Sequence, residues 1–305
     1  MTEPLFFAAT TLAQNAATIE NHQSTPVVDT QRSERVQAEK QRLDRLLIQL
    51  RRNVHPQAAR STEFSPLPTQ PRSGSQLFSQ RVAALGNHQI YTRLPASSFQ
   101  TVWASAMQQP TYQQWRSLLM QEAKQAQGIP NLGVVVGDSL SLWFPSDRLP
   151  QGRVWLNQSI SGDTTGGILN RLSTFAATRP QTVYVMAGVN DLKNGASDRT
   201  ILQNFQQILQ RLRQQHPHAQ IVMQSILPTR SLPIPNQRIR SLNQQLKAIA
   251  DQHGAYYLDV YAVMSDAAGN LNPDLTTDGL HLNAKGYAVW QTLLTQAELQ
   301  IARRQ

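Results

Sequence analysis

The 305-residue sequence contains no cysteine. That excludes disulfides, thiolate metal sites and a cysteine nucleophile, and it leaves the redox compartment unmarked. Long hydrophobic runs are also missing. No segment approaches 18 apolar residues, so no transmembrane segment is expected. The start, Met1-Thr2-Glu3-Pro4, has no basic region ahead of its short apolar patch. That argues against a signal peptide and points to the cytoplasm. Acidic residues are fewer than basic ones, 19 against 28, giving a net charge of +9 and a pI of about 10.2. The excess is spread along the chain: 13 Lys+Arg against 8 Asp+Glu in residues 1–130, and 15 against 11 in residues 131–305. Without a Lys/Arg cluster interleaved with aromatics, nucleic acid is not an expected partner. No His/Asp/Glu set has metal spacing, and no cofactor or metal is expected.

The chain divides by pattern. Residues 1–76 read as a disordered and linker region, with Pro56, Pro66, Pro68 and Pro71 marking the linker. Within it Val36, Leu43, Leu46, Leu47 and Leu50 recur at helical spacing among charged residues. The stretch 33–53 is therefore an amphipathic helix, suited to packing on its own protein, a partner or a membrane surface. Residues 77–130 read as a helical extension that docks on the domain beginning at 131. Its helices are expected at about 97–108 (Phe99, Val102, Trp103, Met107) and 111–127 (Trp115, Leu118, Leu119, Met120), separated by Pro110.

From residue 131 short apolar runs alternate with helical patterns. Strands are expected at 132–136, 153–157, 182–187, 220–226 and 255–260. Helices are expected at about 164–178, 197–215, 236–253 and 284–301. This alternation predicts βαβ units with a parallel five-stranded sheet covered on both faces, a three-layer α/β/α domain. All carboxyl ends of such strands share one edge, where open α/β sheets place their chemistry.

Val134-Val135-Val136 runs into Gly137-Asp138-Ser139 at that edge, making Ser139 a candidate nucleophile. A serine needs a base, and His281 is the natural one, since imidazole titrates near neutrality. Asp278, three residues earlier, can reach its Nδ1–H and fix the tautomer. An oxyanion needs donors; the candidates are the N–H of Ser139, the N–H of Gly162 and the amide of Asn190. Each piece alone has a bland reading as a turn, cap or surface histidine. Together they fall at successive strand ends with complementary roles.

These residues carry a resemblance. From about 131 to 300 the chain resembles the SGNH hydrolases, the GDSL family of esterases and lipases. Gly137-Asp138-Ser139-Leu140 matches the first block, Ile160-Ser161-Gly162-Asp163-Thr164 the second, Gly188-Val189-Asn190-Asp191 the third and Asp278-Gly279-Leu280-His281 the last. Val189 stands where many members carry a second glycine. The resemblance implies a flavodoxin-like sheet and an exposed, adaptable site. Its catalytic residues would be Ser139, Asp278 and His281, and its oxyanion hole Ser139, Gly162 and Asn190. The implied activity is cofactor-free hydrolysis of short acyl or acetyl esters, lipid- or carbohydrate-linked, through an acyl-enzyme. Two rivals stand beside it: an acyltransferase, and a silent scaffold anchored by the 33–53 helix. A binding module has no need of an oriented triad. The Pro228–Pro235 loop is expected to wall the site with Leu232 and Ile234. Trp143, Phe144 and Trp155 are expected to serve packing before ligand contact. The oligomeric state has no sequence signal.

Overall fold

The computed structural model describes residues 68–303. The amphipathic stretch 33–53 and most of the Pro-rich stretch lie outside the described residues. The first element, α1, spans Gly74–Gly86, capped by Ser73, whose Oγ accepts from Gln76 N–H. It begins inside the stretch read as linker. Its helical period is hard to see because Ser75, Ser79, Gln80 and Arg81 are buried beside Leu77, Phe78 and Val82. Next, α2 is a single turn, Gln100–Trp103, shorter than the helix expected over 97–108. Phe99 sits at φ +59°, which blocks an earlier start, and Met107 is 88% exposed, so the apolar spacing there does not mark a packed face. In contrast, α3 (Tyr112–Gln125) agrees with its pattern, with a reciprocal capping box between Thr111 and Gln114.

The sheet is built from β1 (Leu132–Gly137), β2 (Val154–Asn157), β3 (Thr182–Met186), β4 (Gln220–Gln224) and β5 (Tyr256–Leu258). All pairs are parallel, and the order is β2-β1-β3-β4-β5. Every residue of β1 and β3 is buried. Burial of alternate side chains in both directions means both faces are covered, which is why these strands read as unbroken β-branched runs. Between strands lie α4 (Ser139–Leu142), α5 (Thr165–Arg171), α6 (Val189–Lys193), α7 (Asp198–Gln215) and α8 (Asn236–Gln252), and after β5 come α9 (Val260–Met264) and α10 (Ala284–Ala302). Three of these bury a clean stripe: Ile201, Phe205, Ile208 and Leu212 on α7; Ile239, Leu242, Leu246 and Ala250 on α8; Tyr287, Trp290, Leu294 and Ile301 on α10. The helix expected over 164–178 is instead α5 and then a 3₁₀ turn, Leu172–Phe175. The break falls at Arg171, whose φ of −121° leaves the helical region.

A second apolar cluster joins α1 and α3 to the sheet domain. Leu77, Phe78, Val82, Trp115, Leu118 and Leu119 pack with Leu142 and Ile160. Phe78 and Trp115 meet edge to face at 5.1 Å. Each such side chain contributes roughly 1.5–3 kcal/mol by leaving water.

Two features of the order β2-β1-β3-β4-β5 position the site. Strands are added first on one side of β1 and then, from β3 on, on the other, so the connections diverge between β1 and β3 and open the crevice where ligands bind in such sheets. At the end of β1, Gly137 lets the chain turn in tight quarters. A Cβ there would lie 2.5 Å from the Met186 carbonyl oxygen and from Ser141 Oγ, so no larger residue fits.

Candidate active site

Ser139 is the first residue of α4, directly after β1, and is half-buried. Asp138 precedes it as the helix cap, its Oδ1 accepting from Leu140 N–H at 3.0 Å. The Asp138 side chain is wholly buried, and burial pushes its carboxyl up to about 7 against the lowering effect of that N–H bond.

Ser139 Oγ lies 3.2 Å from His281 Nε2. On the other side of the ring, His281 Nδ1 lies 2.7 Å from Asp278 Oδ2. The i, i+3 spacing works through an Asx-type turn: Asp278 Oδ1 accepts from the N–H groups of Leu280 (3.0 Å) and His281 (2.7 Å). Burial acts to raise the Asp278 carboxyl, but the bonds from the His281 ring and these two amides outweigh it and hold it at about 2. The loop is fixed from outside by Arg230 N–H and Thr229 Oγ1, which both donate to the Gly279 carbonyl at 2.8 and 3.1 Å. Of the two wall residues expected there, Leu232 is 98% exposed, whereas Ile234 is buried in the core, and both line a cleft with Thr229 and Arg230. Phe144 and Trp155 are likewise core residues; Trp143 is half-buried.

Gly162 sits in the loop after β2. Asp163 N–H bonds to the Ile160 carbonyl, and Gly162 has φ +78°, the third position of a type II turn. The turn holds Gly162 exposed at the mouth of the site. Asn190, near the start of α6, bridges toward this loop: its Nδ2 donates to the Asp163 carbonyl at 3.0 Å and points to Asp138 Oδ2 at 3.4 Å. Ser139, His281 and Asp278 are thus joined directly. Asn190 is joined to the neighbours of Gly162 and Ser139, while Gly162 itself bonds to none of the other four.

Several residues behind the site had no role assigned from sequence, though Asp163 and Asp191 fall in the second and third motif blocks. Asp163 pairs with Arg171, Nε to Oδ2 at 2.6 Å, both nearly inaccessible. Asp191 accepts from Thr165 N–H at 2.8 Å and from Thr165 Oγ1 at 2.5 Å, which ties α6 to α5. Burial raises the carboxyls of Asp163 and Asp191, their hydrogen-bond donors notwithstanding. A signal for Arg171 was present: it lies three residues beyond Ile168, on the stripe that faces the core. Among the described residues no group of three His, Asp or Glu could hold a metal ion. Nor is any described helix long and apolar enough to cross a membrane.

The structure is thus a flavodoxin-order parallel sheet with Ser139, His281 and Asp278 linked at the carboxyl ends of its strands. The family model for the GDSL-like lipase/acylhydrolase family matches residues 135–289, half of the chain, and the chain belongs to that family. Subunit alpha1 of platelet-activating factor acetylhydrolase IB from Pongo abelii is 29% identical over 170 residues, covering 51% of this chain and 70% of that one. N-acylneuraminate cytidylyltransferase from Streptococcus agalactiae is 28% identical over 159 residues, which are 52% of this chain. The chain spans only 37% of the length of that relative. A GDSL-like lipase of known structure from Bacteroides thetaiotaomicron superposes with a TM-score of 0.54 at 21% identity, covering 63% of this chain and 98% of the other. That likeness concerns the fold.

Proposed function

We propose that the protein is a serine ester hydrolase acting on short acyl esters, acetyl esters first, through an acyl-enzyme. The observation that carries this reading is the continuous line Asp278–His281–Ser139, with contacts of 2.7 and 3.2 Å, in a chain of the acylhydrolase family. With Nδ1 donating to Asp278, His281 presents a bare Nε2 to the serine hydroxyl. His281 takes the Oγ proton as Oγ attacks the ester carbonyl. The oxyanion then draws on the N–H groups of Ser139 and Gly162 and on Asn190 Nδ2, whose 3.4 Å approach to Asp138 is long enough to be redirected. His281 returns the proton to the leaving alcohol and next activates water to release the acid.

The preference for short acyl groups rests on exposure. Gly162 and Asp278 are exposed and His281 is half-buried, which favours an open site over a closed acyl tunnel. The acetylhydrolase relative is in keeping with that choice. The test is hydrolysis of p-nitrophenyl acetate, butyrate and octanoate by the wild type and Ser139→Ala, with fluorophosphonate labelling alongside. Turnover and labelling that depend on Ser139 and decline with chain length are expected. A folded protein that neither labels nor turns over any of the three would refute the reading.

A further inference from the structure

The family match begins at Val135, so α1 and α3 lie outside it. Two buried arginines, one from each side of that boundary, nevertheless converge on one stretch of backbone. Arg171, at the end of α5, is 1% exposed. Its Nε donates to Asp163 Oδ2 at 2.6 Å, its Nη1 to the Gln158 carbonyl, and its Nη2 to the Gly137 carbonyl at 3.1 Å. Arg81, in α1, is fully buried and pairs with Glu122 of α3. Its Nη2 also donates to the Asn157 carbonyl at 2.7 Å, and its guanidinium lies 4.4 Å from the centre of the Tyr91 ring. From α3, the Leu119 carbonyl accepts from Gln158 Nε2 at 2.9 Å.

Two consecutive carbonyls, of Asn157 and Gln158, are therefore held by two guanidinium groups, each with its own carboxylate partner. What they hold is the loop that carries Gly162. The same Arg171 reaches Gly137, two residues before Ser139, and Asp163, whose carbonyl accepts the Asn190 amide at 3.0 Å. All three groups assigned to the oxyanion are within two residues or one hydrogen bond of a residue that this one side chain holds. A guanidinium suits this place because its planar fork serves three acceptors in fixed directions; an ammonium does not. Buried ion pairs are seldom worth more to stability than well-packed apolar residues. Two of them behind one loop serve geometry.

We propose that Arg171 and Arg81 act as positioning residues, a clamp that sets the 157–163 loop for oxyanion binding, and that α1 and α3 are thereby working parts of the catalytic unit. The proposal rests on the ester-hydrolase reading. Its test uses the full chain with two variants: Arg171→Lys, and Arg81→Met combined with Glu122→Met, which replaces the outer pair by apolar volume. Three quantities are measured: kcat and KM for p-nitrophenyl acetate, Tm, and amide exchange across 157–163. Arg171→Lys is expected to lower kcat about 10- to 100-fold, part of the ~10²–10³ lost with a whole oxyanion donor. KM should stay within about threefold. The double variant should lower kcat by a smaller factor with Tm close to wild type. Exchange in 157–163 should quicken in both, with β3 and β4 unchanged. If Arg171→Lys fails to fold, the double variant decides. Wild-type kcat in a folded variant, or a lowered kcat with unchanged loop exchange, would overturn the clamp. A wild-type protein without Ser139-dependent turnover would instead defeat the ester-hydrolase reading. In that case unchanged loop exchange in both variants overturns the clamp, and quickened exchange supports it.

Discussion

Consider Asp278→Ala. The substitution removes a carboxylate whose Oδ2 is 2.7 Å from His281 Nδ1 and whose Oδ1 accepts two backbone amides. In a buried triad, losing the correct tautomer costs about 10⁴ in kcat. Here the side chains of His281 and Asp278 are 41% and 52% exposed, so water can accept the Nδ1 proton when the carboxylate is gone. What is lost is then about one charge-assisted hydrogen bond in a screened setting, ~1.5–3 kcal/mol. At about 1.36 kcal/mol per decade this is a fall of roughly 10- to 150-fold in kcat. The two lost amide contacts act on loop order and should appear in Tm before kcat. The assay is p-nitrophenyl acetate hydrolysis by wild type, Asp278→Ala and Ser139→Ala, compared from pH 5 to pH 8. Because the Asp278 carboxyl is held at about 2, its charge is complete across that range. Acid-side loss of wild-type activity should therefore persist in Asp278→Ala. The sign for stability is the usual one for a depressed carboxyl: the contribution is present above the unfolded value near 3.9 and is lost as pH falls through about 2. Asp278→Ala as inactive as Ser139→Ala would refute the argument from exposure. Wild-type activity would remove Asp278 from the triad.

Three further outcomes are expected. Ser139→Ala should abolish turnover and labelling while leaving Tm nearly unchanged, because the hydroxyl's bond to His281 is half-exposed; a labelled Ser139→Ala would place the nucleophile elsewhere. Asn190→Ala should lower kcat about 10²-fold, with a smaller change in KM, as for an oxyanion donor, and a raised KM with kcat unchanged would mark it as a ground-state contact. Asp138, buried and raised to about 7, should make the fold less stable as pH climbs from about 4 to 7, since the unfolded chain ionises there and the folded one does not. The linked loss is at most roughly 4 kcal/mol; urea unfolding at pH 5 and pH 8 should show it in wild type and not in Asp138→Asn, and parallel pH slopes would refute the assignment.

The sheet and the linked residues Ser139, His281 and Asp278 were readable from sequence for a common reason: each leaves a local mark. Val134-Val135-Val136 is a strand buried on both faces, and Gly137, Asp138 and Ser139 come next because the turn after β1 admits no side chain at Gly137. Asp278 and His281 meet across three residues, within the reach of a pattern. The clamp leaves no such mark. Arg81 and Glu122 are 41 residues apart, and Arg81 meets the Asn157 carbonyl 76 residues away. In sequence they look like ordinary solvated helix charges. Their burial also hides α1, since Ser75, Gln80 and Arg81 face inward and spoil its apolar period. The same physics links the two failures. A loop that leaves Gly162 exposed cannot be held by apolar packing on its open side. It is held from behind through its carbonyls, and carbonyls call for buried donors. Buried donors look polar in sequence, so the residues that order the loop are the ones that hydrophobic patterning assigns to the surface.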